Sequence, residues 1–455
     1  MTGRTVAVIG FGVTGRAVAS HLRARGDEVV VFDDRPGAGP TGAAEAAEAI
    51  GVTVERTPSD EAELAGRLAG VALVVPSPGV PVGHPVYGAA GRAGVPVVSE
   101  IELASEIAAE RPGTQLVAIT GTNGKTTVTT LVTAMLNDAG LPAVAAGNIG
   151  LPLIEAVQGD HRVVVAEVSS FQLWFTERFR PSISCWLNLA PDHLDWHPDL
   201  DHYAAAKARI WANQGTGDVA VYNADDEAVS SRARSIPDGV ERLTWSTRHP
   251  ASFQLGGGNL LAPDGAVITA VADLPRSLPH DVSNSLAAAA VAMSAGATRD
   301  ACRSALGRTG PLPHRVSLVA EAGGVGWYDD SKATTPASVL AAVSGFASVV
   351  LIAGGRNKGL DLGVLSQGVP PIRAVVGIGE AAGEVAEALG SLVAVSTAAS
   401  MEAAVAAAAA VARPGDAVLL SPGCASFDWY GSYSERGDHF AAVVRRLLEK
   451  GGAQC

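Results

Sequence analysis

The chain has 455 residues, 47% of them hydrophobic and 17% charged, and a formal net charge of −13. A chain of this length exceeds what one core supports, and roughly 100–200 residues per domain implies about three domains. The acidic balance, with no basic run anywhere, excludes a nucleic-acid backbone or an anionic membrane surface as the main partner.

The opening residues, MTGRTVAVIG, run directly into an apolar strand without the pattern of a leader peptide, so a cytoplasmic protein is expected. TVAVIGFG reads as a strand, TGRAVASHLRARG as a helix closed by Gly26, EVVVFDD as a strand, and VALVVPSPG as a strand ending in a turn. This alternation predicts a parallel sheet with ligands at the carboxyl ends of its strands. The segment SEIELASEIAAERPGTQ crosses to a second unit, and the boundary is set at residue 105. That unit begins with LVAITG and continues through RVVVAEVSS, ISCWLNLA and DVAVYNADD. A hairpin-like QLGGGNLLAPDGAVIT and the helix SNSLAAAAVAMSAG follow, and GPLPHR links to a third α/β unit that starts at WYDDSKATT. The expected domains are therefore 1–105, 106–312 and 313–455. The Ala-rich stretch Ser400 to Arg413 is shorter than the ~20 residues of a membrane span, which predicts a packed helix and no membrane insertion. Cys185, Cys302, Cys424 and Cys455 show no metal-binding spacing and read as buried apolar residues.

Two phosphate-type loops stand out. Gly10-x-Gly12-x-x-Gly15 lets a backbone approach a diphosphate at a helix N-terminus, and Asp33 after the next strand fits the ribose contact of an NAD(P)-dependent oxidoreductase. Gly121-Thr122-Asn123-Gly124-Lys125-Thr126-Thr127, between strand and helix, is a second and different loop: Lys125 would neutralise the β- and γ-phosphates of ATP, and the Thr126 hydroxyl would reach Mg²⁺. Glu167, ending VVVAE, would supply a second metal ligand there.

Lysine is scarce. Only Lys125, Lys207, Lys332, Lys358 and Lys450 are lysine, against 28 arginines, so a retained lysine suggests a position that needs a compact primary amine. Lys207 follows Asp192-His193 by about one loop and a helix turn, and its amine would act either as a cation or as a metal-binding carbamate. Asp330, Lys332 and Thr334, then Lys358, then Ser426, lie in successive strand-end loops that together form an anion-recognition surface.

Taken in order, GFGVTGRAVA, PSPGVP, TGTNGKTT, GNIGLP, EVSSFQL, LNLAPDHLDWH, AAKARI, GPLPHR, DDSKAT and LSPGCASFDWYGSYSERGDHF resemble the Mur ligases, ATP-dependent amide-forming enzymes of peptidoglycan precursor synthesis. The resemblance spans essentially the whole chain. It implies three α/β domains: an N-terminal Rossmann-like UDP-substrate domain, a central P-loop-type ATPase domain and a C-terminal Rossmann-like domain for the incoming amino acid. It also implies reaction through an acyl phosphate, with UDP-N-acetylmuramoyl-L-alanine and D-glutamate as substrates, and a monomer. Carried over, Thr126 and Glu167 would hold one of two Mg²⁺ ions, and His193 with carbamylated Lys207 the other. Asn284 would approach adenine, Arg315 the phosphates and Asp330 the ribose. Lys332 and Thr334 would lie between ATP and glutamate, with Lys358, Ser426, Phe427 and Tyr433 in the glutamate pocket. Val13, Thr14, Asp34, Arg35 and Gly79 would serve the UDP moiety, and Asn148, Ser169 and Gln172 the muramoyl-alanine part. Asp281, Thr335 and Asn357 depart from the family pattern, in which Asn, Asn and Asp are expected. A folylpolyglutamate-type ligase is the related alternative.

Overall fold

The computed structural model describes residues 3–35 and 43–452, so Cys455 lies outside the described residues. The chain divides into two compact units, Met1–Asn188 with Asp201–Ile268 and Ser285–Ala305, and Leu189–Leu200 with Thr269–Asn284 and Leu306–Cys455.

The first unit holds two sheets. Strands β1 (Thr5–Ile9), β2 (Glu28–Asp33), β3 (Val54–Arg56) and β4 (Leu73–Pro76) form a parallel sheet in the order β3-β2-β1-β4. β1 carries Val6, Ala7, Val8 and Ile9, all at most 1% exposed, which is the continuous apolar run of a strand covered on both faces. The second sheet contains β5 (Gln115–Thr120), β6 (Ala143–Gly147), β7 (Val163–Glu167), β8 (Ile183–Trp186), β9 (Val219–Asn223), β10 (Glu241–Ser246), β11 (Phe253–Gly256), β12 (Asn259–Leu261) and β13 (Val267–Ala270). Its order is β13-β12-β11-β10-β9-β8-β5-β7-β6, parallel from β6 through β11, with β11 and β12 as the antiparallel hairpin that the glycines foretold. β5 sits between β7 and β8, so the loop after β5 opens beside the end of β7.

The second unit holds β14 (Ser317–Ala322), β15 (Val325–Asp329), β16 (Val349–Gly354), β17 (Ile372–Ile378), β18 (Ala394–Ala398) and β19 (Ala417–Leu420), in the order β14-β15-β19-β16-β17-β18. β14 alone runs antiparallel to its neighbour. Leu351, Leu419 and Val375 face one apolar cluster, while Ile352, Leu420 and Val376 face another. This two-sided packing follows from the alternation of side chains along a strand. The Ala-rich stretch forms the helix Met401–Val411, capped by the Ser400 side chain on Ala403 N. No helix among the described residues is long and apolar enough to cross a membrane. Cys185, Cys302 and Cys424 are buried free thiols, as expected.

The crossing segment is the helix Glu100–Ala109, in which residue 105 lies. Two buried carboxyls in its first turn tie it to the nine-stranded sheet's layer. Glu102 accepts from the backbone N–H groups of Glu177, Arg178 and Phe179, at 3.2, 2.7 and 2.9 Å. Glu100 accepts from Ile154 N at 2.6 Å, and burial pushes its carboxyl up to about 7 despite that bond.

Folded Glu100 keeps its proton to about pH 7, whereas the unfolded chain releases it near 4.5. The folded state therefore holds the extra proton in that window, and stability falls as pH rises through it, by roughly 3 kcal/mol at most. Asp330, also pushed up to about 7 by burial, adds a contribution of the same sign. Glu100→Gln, which keeps the acceptor oxygen and stays neutral, should flatten the fall in denaturant-measured stability between pH 5 and 7.5. An unchanged slope would contradict the assignment.

Candidate functional site

The loop after β1 is shaped by its glycines. Gly10 has φ +83°, and a Cβ on Gly15 would fall 1.9 Å from the Gly10 oxygen, so the helix Val13–Ala24 approaches the strand only because that atom is missing. A Cβ on Gly12 would meet nothing within 4 Å, which leaves the helix entrance open to a ligand. Val13 is 56% exposed beside it. Asp33 is committed to the loop: its Oδ2 accepts from Phe11 N at 2.7 Å and its Oδ1 from Arg35 N at 2.8 Å. The oxidoreductase alternative needed that carboxylate for a ribose. Asp34 instead faces His84, whose Nδ1 accepts from Val86 N, so Nε2 carries the proton donated to Asp34 at 3.0 Å. That hydrogen bond holds the Asp34 carboxyl below its usual range.

After β5, Gly121 to Gly124 lead into the helix Lys125–Asp138, with Gly124 at φ +85° as its N-cap. The Lys125 ammonium donates to the carbonyls of Gly121 and Thr122 at 2.8 and 2.9 Å. Lys207, on the helix Leu200–Ala208 and 1% exposed, donates to the same Gly121 carbonyl at 2.8 Å, its ammonium 4.5 Å from the Tyr203 ring centre. Two cations, Lys207 buried and Lys125 half-buried, thus meet at one oxygen, an arrangement that favours negative charge close by.

Glu167 ends β7 at 2% exposure. Its Oε1 accepts from Asn148 Nδ2 at 2.9 Å, while its buried Oε2 has no hydrogen-bond partner. An unpartnered anionic oxygen at the edge beside the phosphate-type loop fits a hard divalent cation such as Mg²⁺. Asn188, which sequence reasoning missed, clamps the loop reciprocally: its Oδ1 accepts from Asn123 N at 2.8 Å and its Nδ2 donates to Asn123 O at 3.1 Å. Its only signal was a position just past the apolar strand ISCW. Ser169 and Gln172 form a capping box around the helix Ser170–Trp174, so two of the three residues assigned to muramoyl-alanine also bond to each other.

The second unit gathers the remaining candidates. His193, at φ +55°, stands on the segment Leu189–Leu200 with Asp192, whose Oδ2 lies 3.3 Å from His193 Nε2 and whose Oδ1 lies 3.4 Å from Lys358 Nζ. Lys358 and Phe427 line a cavity of about 560 Å³ with Leu194, Asp195, Arg356 and Ala425. Ser426 is 2% exposed, and its hydroxyl has no partner. The Lys332 ammonium lies 3.8 Å from the Tyr433 ring centre. Arg436, 1% exposed, joins the loops that carry them: Nε donates to Ser331 Oγ at 2.9 Å, Nη2 to Ser331 O at 2.8 Å, and both Nη atoms to Cys424 O at 3.2 Å. Burial pulls its pKa down to about 10. Asp330 is buried, accepting from Ser421 Oγ at 2.7 Å and Val316 N at 3.3 Å. Asn284 lies on the helix Pro279–Ser294.

Two family departures have local reasons. Thr335 caps the helix Pro336–Val343 through Ser338 N. Asn357 closes its own turn, donating to Leu360 O and accepting from Leu360 N, both at 2.9 Å.

Family models match three successive segments: the MurD-like N-terminal domain over residues 4–99, the Mur ligase middle domain over 119–292, and the Mur ligase glutamate ligase domain over 314–424. The chain belongs to the Mur ligase family. Among relatives, a UDP-N-acetylmuramoylalanine–D-glutamate ligase of Frankia casuarinae is 43% identical, covering 97% of this chain and 94% of its own. One of the same name from Pelotomaculum thermopropionicum is 39% identical over 98% of both. The fold is shared with MurF from Acinetobacter baumannii, at TM-score 0.62 and 15% identity over 98% of this chain and 93% of that one. It is shared less extensively with E. coli FolC in complex with DHPP and ADP, at TM-score 0.54 and 18% identity over 78% of this chain and 93% of that one. Mur ligase membership across the full length leaves the folylpolyglutamate-type alternative as a structural relative only.

Asn188→Ala removes both clamping bonds to Asn123, each contributing about 0.5–1.5 kcal/mol. ATP affinity measured by calorimetric titration should fall roughly tenfold or more. Unchanged affinity would show that the loop holds its shape without the clamp.

Proposed function

We propose that this protein is an ATP-dependent ligase that joins D-glutamate to UDP-N-acetylmuramoyl-L-alanine. The reading is carried by the convergence of Lys125 and Lys207 on Gly121, in a chain aligned end to end with relatives named for that ligation. Residues 1–105 take the UDP substrate, 106–312 bind ATP and 313–455 receive glutamate. We expect a cytoplasmic monomer.

The acceptor's carboxylate oxygen attacks the γ-phosphorus, the bond to the β–γ bridging oxygen breaks, and ADP leaves an acyl phosphate. The glutamate amine then attacks the acyl carbon. The tetrahedral adduct expels phosphate, and the nitrogen loses a proton to give the amide. Such transfer depends on positioning and charge neutralisation more than on covalent participation by the protein. Lys125 and the N-terminus of the helix that follows hold the phosphates, the loop Gly121 to Gly124 shapes their cradle, and Thr126 and Thr127 stand at the helix's first turn. Arg315 meets the phosphates, Asp330 the ribose and Asn284 the adenine. Two Mg²⁺ ions, when bound, neutralise charge on the transferring phosphoryl group. Thr126 and Glu167 would hold one and His193 with carbamylated Lys207 the other. Carbamylation turns one of two adjoining cations into an anion, which only a primary amine can do. The Lys358 ammonium and the unpartnered Ser426 hydroxyl receive a glutamate carboxylate, with Phe427 and Tyr433 on its flanks, and Lys332 and Thr334 face the reacting groups. Val13, Thr14, Asp34, Arg35 and Gly79 take the uridine diphosphate, and Asn148, Ser169 and Gln172 the muramoyl-alanine.

Phosphate release should require ATP, Mg²⁺, UDP-N-acetylmuramoyl-L-alanine and D-glutamate together, with L-glutamate inactive. Release that does not depend on glutamate would sink the assignment. Lys207→Arg keeps the cation but forms no carbamate, so kcat should drop at least a hundredfold. Near-normal turnover in that variant would remove the carbamate.

A further inference from the structure

Arg315 stands in a strained turn. His314 and Val316, on either side, have φ +60° and +50°, in the left-handed region that a β-branched residue such as valine rarely enters. Such conformations are disfavoured and persist only where the surroundings over-determine them. On one side the surroundings are the end of β15: His314 Nδ1 lies 2.6 Å from Asp329 Oδ2, Val316 N donates to Asp330 Oδ1, and Lys332 N donates to His314 O.

On the other side stands Arg276, from the segment before the helix Pro279–Ser294. Its Nη1 donates to the carbonyls of both Arg315 and Val316. The remaining prongs engage Asp281 in a two-point pair, Nε to Oδ2 at 2.6 Å and Nη2 to Oδ1 at 2.7 Å. Asp281 in turn accepts from Leu278 N at 3.2 Å, and His280 Nε2 lies 3.5 Å from its Oδ1. Both partners are mostly buried, with side chains 19% and 14% exposed. Only a guanidinium satisfies a carboxylate and two carbonyls at once, so lysine does not substitute. Asp281 is also where the family pattern leads one to expect Asn. A neutral amide offers one acceptor oxygen and no charge, whereas the carboxylate fixes both prongs of Arg276.

We propose that Arg276 and Asp281 are positioning residues of the nucleotide site, holding the turn His314–Val316 so that Arg315 is presented to the phosphates. This rests on the reading that Arg315 contacts ATP. The test measures ATP affinity by titration without glutamate, and separate KM values for ATP and D-glutamate, in Arg276→Gln, Asp281→Asn, Arg315→Ala and the Arg276→Gln/Arg315→Ala pair. Melting curves accompany each variant. Arg276→Gln should weaken ATP binding at least tenfold and leave the glutamate KM within twofold, and Asp281→Asn should act in the same direction to a smaller extent. In the Arg315→Ala background, Arg276→Gln should add less than twofold. Arg276→Lys should recover little of the loss.

Equal effects on both KM values, or the same loss with and without Arg315, would overturn the proposal. If Arg315→Ala leaves ATP binding unchanged, the phosphate role of Arg315 falls and the proposal falls with it. If Arg276→Gln melts below the assay temperature, Asp281→Asn decides, since it preserves volume and one acceptor. Unaltered ATP binding in that variant would overturn the role of the pair.

Discussion

The Gly121 carbonyl receives two ammonium groups, that of Lys207 buried and that of Lys125 half-buried, and the nucleotide loop is arranged around that crowding. Two like charges at one oxygen favour an anion close by, and Glu167 keeps one buried carboxylate oxygen without a hydrogen-bond partner. The loop is therefore suited to charge that arrives with a ligand. Asn188 keeps the loop in shape by gripping Asn123 at both its donor and its acceptor.

The second unit solves a different problem, that of holding several strand-end loops in register. Arg436 does this for the loops at Ser331 and Cys424, and Arg276 does it for the turn at Arg315. In both cases a guanidinium spends its donors on backbone carbonyls and neighbouring side chains instead of on a ligand. Such groups are structural charges that act through their neighbours, and this explains part of the chain's heavy use of arginine. Lysine, by contrast, appears at Lys125, Lys207, Lys332 and Lys358, where a compact amine faces a loop carbonyl, an aromatic ring or a carboxylate.

Much of this was legible in the sequence because it is local. The apolar runs of β1, β5, β7 and β8 announced buried parallel strands, and the loops that follow them carry their chemistry within a few residues. The hairpin β11–β12 was visible in its glycines. What stayed hidden depends on partners far apart in the chain. Nothing near Arg436 names Ser331, 105 positions away, and nothing near Arg276 names Val316, 40 positions away. Asp33 looked like a ribose ligand because the fingerprint fixes its place but not its bonds, and those go to Phe11 and Arg35. Asp281 looked like a departure from the family pattern until Arg276 supplied its partner.

The central claim is that Lys125 and the loop around it serve to pass a phosphoryl group to a carboxylate, and the fate of the carboxylate oxygen tests it most directly. With UDP-N-acetylmuramoyl-L-alanine labelled with ¹⁸O in its alanyl carboxylate, one labelled oxygen should appear in each phosphate released during ligation. Unlabelled phosphate, formed alongside amide product, would contradict the account.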